Sequence, residues 1–110
     1  MPNPELLMKK VPLQRDLLRL FNGQSDQWQT IGTGLGVSHS DLMPLPGQAL
    51  NNLGMIFDRW LKAYKNVTWK AICNLCEDWD QLGQSKAKVA KFLESDRAHE
   101  EYGTKPDFDG

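Results

Sequence analysis

The stretch "TIGTGLGVSHSDLMPL", residues 30–45, constrains the fold more than any other part of the chain. Trp28, Ile31 and Leu35 recur at helical spacing, so a helix runs into it. Gly32, Gly34 and Gly36 then weaken and end that helix. Pro44 and Pro46 bar a long helix directly afterwards. A chain broken in this way, with no alternating apolar pattern anywhere, reads as short helices joined by tight corners. The glycines spell G-x-G-x-G, but no strand precedes them and no phosphate-binding lysine follows, so they do not read as a nucleotide loop.

The remaining elements follow from the same period. Leu13, Leu17, Leu20 and Phe21 make a first helix behind Pro12, ended by Asn22-Gly23. Ser25 or Asp26 caps the second. Ser38 and Asp41 have capping-box spacing, which predicts a very short third helix through Leu42 and Met43. The fourth and longest, about residues 46–65, is expected to bury Leu50, Leu53, Phe57, Trp60, Leu61 and Tyr64. Its outer face carries Asn51, Asn52, Met55, Asp58, Arg59, Lys62 and Lys65. Thr68 caps a fifth, with Trp69, Ile72, Leu75, Cys76 and Trp79 inward. Gly83 and Ser85 open a sixth that turns Val89, Phe92 and Leu93 inward. Residues 95–110 hold five acids against two bases and show no apolar period, so they read as a disordered, acidic C-terminal tail. Residues 1–10 read as an N-terminal extension, leaving one all-α bundle over 11–94.

The bulk numbers narrow the function. A chain of 110 residues with 40% hydrophobic and 25% charged side chains suits one globular domain. Its net charge of −1 gives no general pull toward nucleic acid or anionic lipid. No apolar run is long enough to cross a membrane, and "MPNPELLMKK" lacks the apolar core of a secretory signal. The expected setting is the cytoplasm. Cys73 and Cys76 form C-x-x-C, but His39 and His99 stand at no zinc spacing, and the pair falls in mid-helix, where no dipole would activate it. Both read as free thiols. Asn66-Val67-Thr68 is a glycosylation sequon, relevant only to a secreted chain. No carboxylate pair, nucleophile elbow or histidine pairing suggests catalysis. The expectation is no enzyme activity, no cofactor, no metal and no small-molecule substrate.

Residues 30–45 also have the outline of a helix-turn-helix DNA reader. Charge decides against it. Between Arg19 and Arg59 there is no lysine or arginine, while Asp26 and Asp41 both lie there. DNA affinity comes largely from cations meeting phosphates, and base readout needs Arg, Lys, Asn or Gln on the second helix. A small helical DNA-binding domain is therefore the alternative reading, and nucleic acid is not an expected partner.

The segments "DLLRLFNGQSDQWQTIGTGLGVSHSDL" and "MIFDRWLKAYKNVTWKAICNLC" resemble the death domain. The features are Trp28 in the second helix, Leu35-Gly36, the Ser-x-Ser-Asp-Leu opening, Trp60-Leu61 late in the fourth helix, and Thr68-Trp69. The likeness spans about residues 11–94. It implies a six-helix antiparallel bundle that binds other death-domain proteins without catalysis, as a module of a cytoplasmic adaptor or receptor. On that fold, Arg15, Arg19, Arg59, Lys62 and Lys65 would form a basic patch, with Asp26 and Asp41 on a separate acidic one. Glu77, Asp78 and Asp80 would meet Lys86 and Lys88 of a neighbour. Opposite patches on different faces favour head-to-tail assembly.

Overall fold

In the computed structural model, which describes residues 3–108, the helix Trp28–Gly34 (α2) is the element on which the others close. It continues from α1, Gln14–Phe21, through a 3₁₀ segment, Asn22–Gln27. The long helix α3, Ala49–Ala63, and α4, Trp69–Asp78, pack against it. A methyl at Gly34 would collide with Leu75 Cδ1 of α4 and lie 2.9 Å from Trp79 Nε1. The G-x-G spacing therefore marks a close helix contact. Just beyond it Gly36 takes φ +72. Its N–H donates to Thr33 O at 3.1 Å, and the Val37 N–H reaches Gly32 O at 2.9 Å. These two bonds make a Schellman stop, which needs a left-handed residue that glycine adopts without strain.

The expected third helix does not form. Residues 38–48 contain turns only. Asp41, which the capping-box reading placed at a helix start, directs its carboxylate to Arg59 instead, and Pro44 and Pro46 leave too little chain for a helix to gain by propagating. A second correction concerns the face of α3. Its buried stripe is Leu53, Ile56, Phe57 and Trp60, at i, i+3, i+4 and i+7. Asn52, expected outside, is buried and donates Nδ2 to Met43 O at 2.9 Å, which holds the incoming loop against the helix. Leu50 and Tyr64, expected inside, are exposed. Leu50 lies in the first turn, and Tyr64 follows the last one at φ 50, packed against Phe108.

The second half follows the sequence closely until its end. Thr68 Oγ1 accepts the Ala71 N–H at 3.2 Å and caps α4, with Trp69, Ile72, Leu75 and Cys76 buried. A 3₁₀ turn, Asp80–Leu82, leads to α5, Gly83–Leu93. The residues expected as a disordered tail then form a further helix, α6, Asp96–Tyr102, capped by Ser95 Oγ on the Ala98 N–H at 3.2 Å. Ala98 and Tyr102 are fully buried. The Tyr102 ring meets Trp69 and Phe92 at centroid distances of 5.4 and 6.3 Å. Its hydroxyl donates to the buried Asp16 Oδ2 at 2.5 Å and accepts the Leu13 N–H at 3.0 Å. Two inward side chains leave no period to detect, which is why this helix reads as tail.

The expected N-terminal extension is bound in as well. Leu7, in the 3₁₀ turn Pro4–Leu7, is buried. The Met8 and Lys10 carbonyls accept the Lys70 and Trp69 N–H groups at 3.0 and 3.1 Å. On the other side the Phe108 N–H meets Lys9 O at 2.7 Å, and Lys10 Nζ pairs with Asp107 at 2.9 Å. Residues 1–2 and 109–110 of the expected extension and tail lie outside the described residues. Among those described there is one isolated β-bridge, Lys10 to Asp107, and no strand. The fold is thus an all-helical bundle.

Two outcomes are expected. Gly34→Ala should lower the urea midpoint if the buried Leu75 and the Trp79 ring cannot give way, the overpacking then outweighing the roughly 1 kcal/mol that alanine gains over glycine in a helix. Burial and the Asp16 hydrogen bond raise the Tyr102 pKa. A group raised in this way lends stability that is complete below its unfolded value, about 10, and is lost as pH rises through the folded value. Tyr102→Phe should therefore cost about 1–3 kcal/mol at pH 7, where Asp16 loses its donor, and less as pH climbs past 10. Urea midpoints across pH check the sign.

Candidate interaction surface

Several of the charged residues named from the sequence are paired within the chain. Arg59 forks onto Asp41 of the same chain, Nη1 to Oδ1 at 2.9 Å and Nη2 to Oδ2 at 2.8 Å, and its Nη1 also donates to Ser38 O at 3.0 Å. The Arg59 hydrogen bonds hold the Asp41 carboxyl below the usual aspartate range, and the same pair raises Arg59. Lys62 pairs with Asp58 one turn back at 3.0 Å, and Lys86 with Glu77 across α4 and α5 at 3.2 Å. Arg15 pairs with Glu101 of α6 and stands 4.0 Å from Asp16. Lys65 and Asp78 line one shallow groove beside Leu35 and Trp60. Arg19, Asp26, Asp80 and Lys88 are exposed and belong to none of these pairs.

Arg59 and Asp41, assigned from the sequence to a basic and a separate acidic patch, thus meet within one copy. The cause is local. With no helix over residues 38–48, the loop drops against α3, bringing Asp41 within reach of the Arg59 fork.

What the outer surface does offer is apolar. Met43, Leu45, Leu50 and Met55 keep 61%, 54%, 52% and 40% of their surface in contact with solvent. Two of them, Leu50 and Met55, line an open groove of about 640 Å³ between α1 and α3, together with Leu18, Gly47 and Gly54. The sequence carried a sign of this surface. Residues 42–57 include no Asp, Glu, Lys, Arg or His, a long gap in a chain that is 25% charged. Part of that gap is explained by the buried stripe of α3, but the exposed residues are uncharged as well.

The other candidate groups have structural employment. His39 packs edge-on to Trp28 at 5.7 Å with Nε2 3.3 Å from Thr33 Oγ1, and His99 Nε2 lies 3.2 Å from Leu93 O. Cys76 is buried and Cys73 half-buried, side by side on a small cavity of about 130 Å³ against Val89 and Ala90. Burial raises both thiols, Cys76 to about 12, which makes them poor nucleophiles at neutral pH. Among the described residues no group of three or more His, Cys, Asp and Glu is placed to hold a metal ion, and no helix is long and apolar enough to cross a membrane. The helix-turn-helix outline lacks its second helix, since residues 38–48 have none.

Set against protein-family models, curated proteins and solved structures, the chain matches none.

The Asp41–Arg59 pair has a direct test. An aspartate with a lowered folded-state pKa contributes above its unfolded value, about 3.9, and the contribution disappears as pH falls through the folded value. Asp41→Arg and Arg59→Asp should each destabilise the chain, and the double swap should restore part of the loss. A double-mutant cycle should show coupling at pH 7 that shrinks as the medium is acidified below pH 4.

Proposed function

We propose that this chain is a protein–protein interaction module of the death-domain kind, acting in the cytoplasm by assembling with its own kind. The order of elements supports the reading: two successive helices, the second closed by a Leu-Gly stop, then a connecting loop, a long helix with Trp60-Leu61 in its last turn, and a Thr-Trp start to the next. In this reading α1 to α5 stand for the family's first, second, fourth, fifth and sixth helices. The third is replaced by the loop over residues 38–48, and α6 is an addition. Trp28, Trp60 and Trp69 are buried and Leu35 is half-buried, so the residues carrying the resemblance serve the scaffold and recognition falls to the outer surface.

The observation that carries the proposal is the set of exposed apolar side chains, Met43, Leu45, Leu50 and Met55, in the uncharged stretch 42–57. Exposed apolar side chains gathered in one region mark contact surfaces. Interface centres are poor in charge and rich in methionine and aromatic residues. Met43 and Met55 fit that composition. Sedimentation velocity over a rising concentration series tests the proposal. The weight-average coefficient should climb from that of the 12.5 kDa chain as complexes form. A coefficient fixed at the single-chain value up to millimolar concentration contradicts self-assembly.

A further inference from the structure

Three sulfur-bearing side chains gather where the N-terminal segment crosses α4. Cys73 and Cys76 lie three residues apart on that helix and share the cavity of about 130 Å³ against α5. Cys73 also lines a second hollow, of about 340 Å³, together with Met8. The backbone holds Met8 in place, because its carbonyl accepts the N–H of Lys70, one turn before Cys73, at 3.0 Å. Cys73 thus has one soft donor beside it on its own helix and another on the segment that follows the turn Pro4–Leu7. It is half-buried and within reach of solvent, whereas Cys76 and Val89 are buried behind it. His39 and His99 line neither hollow, and of the carboxylates there Glu77 is engaged by Lys86.

We propose that Cys73 and Cys76 bind one monovalent soft cation, copper(I), with the Met8 sulfur as third donor. Thiolate and thioether ligands select copper(I), which is satisfied by two or three sulfurs. Structural zinc asks for four ligands, and these hollows do not supply them. The reach is adequate, since Cβ atoms three residues apart on a helix are about 5–6 Å from each other, a gap that two thiolates and one ion span. Binding is an exchange of protons for metal. Two S–H bonds break, two copper–sulfur bonds form and two protons leave to solvent, with the copper oxidation state unchanged. Two thiolates and one monovalent ion carry a single negative charge. Around them Lys9, Lys70 and Lys86 outnumber Glu5 and Glu77 by one, which offsets it. A divalent ion would leave positive charge in surplus. The buried Val89 makes the inner wall apolar and limits solvent access to the ion. The site lies within one chain and does not depend on the assembly reading above.

Anaerobic titration of the reduced chain with copper(I), supplied as its acetonitrile complex in competition with bicinchoninate, tests the site. After desalting, elemental analysis should find one copper per chain, with a new ultraviolet thiolate-to-copper absorption and two protons released per ion in weak buffer. Cys73→Ser and Cys76→Ala should each surrender the ion to the chelator, a loss of about a hundredfold or more in affinity. Met8→Leu, which keeps the apolar volume and removes the sulfur, should lower affinity about tenfold. Excess zinc(II) should displace no copper. Circular dichroism checks that each variant keeps its helices, and Cys76→Ser replaces the alanine variant where it does not. Copper held equally well by both cysteine variants overturns the proposal, as does a wild type that yields all its copper to bicinchoninate. One copper for two chains, with the mass doubling on loading, overturns it too, because the ion then bridges copies. Unchanged affinity in Met8→Leu overturns Met8 as a ligand.

Discussion

The contact of α2 with its neighbours is the constraint from which the remaining architecture follows. At Gly34 one more carbon would have to displace the Leu75 methyl and the Trp79 ring edge on the α4 side. This close approach seats Trp28 and Ile31 in the core. The Schellman turn at Gly36 then ends the helix and sends the chain back toward α3. Residues 38–48 must cross that distance with two prolines and no helix to supply hydrogen bonds. They are tied down instead by α3 itself, through Asn52 on the Met43 carbonyl and Arg59 on Asp41 and Ser38. The surface chemistry follows from this crossing. Arg59 and Asp41 are used within the chain, while Met43 and Leu45 are left facing water.

A second anchor works at the other end. The buried Asp16 carboxylate receives the Tyr102 hydroxyl, which in turn accepts a backbone N–H from the start of α1. A buried carboxylate without such a donor would be costly, and a buried tyrosine hydroxyl equally so. Each satisfies the other, and α6 is thereby fixed across α1 while its ring completes the aromatic group of Trp69 and Phe92. Lys9 and Lys10 are then tied to Phe108 and Asp107. These contacts make residues 96–108 part of the folded body.

The sequence made much of this legible. Apolar spacing located α1, α4 and α5 closely, and the Thr68 cap formed as its position suggested. The glycine run announced the end of α2, while the close approach at Gly34 came to light only in the fold. What it concealed has physical reasons. The capping-box spacing of Ser38 and Asp41 describes a local preference that a bidentate partner eighteen residues away overrides. Leu50 shares a helical period with the core, yet periodicity does not say which neighbours cover the first turn. Tyr102 could not be placed, since a helix fastened by one ring and one hydroxyl leaves no repeating pattern. The candidate surface was hidden for a related reason. Charge along the sequence suggested patches, but only the folded chain shows which charges are already paired. The better signal was the uncharged stretch over residues 42–57, where composition departs from the rest of the surface.

The central proposal is that the face of α3 bearing Leu50 and Met55 is where this bundle meets its partner. Two-dimensional amide NMR spectra of the wild-type chain, recorded as it is concentrated, address this residue by residue. Concentration-dependent shifts should gather at Gln14, Leu18 and residues 43–58 and be small elsewhere. Shifts gathered instead around Asp26, Asp78, Asp80 and Lys88, with the α3 face unmoved, would contradict the account.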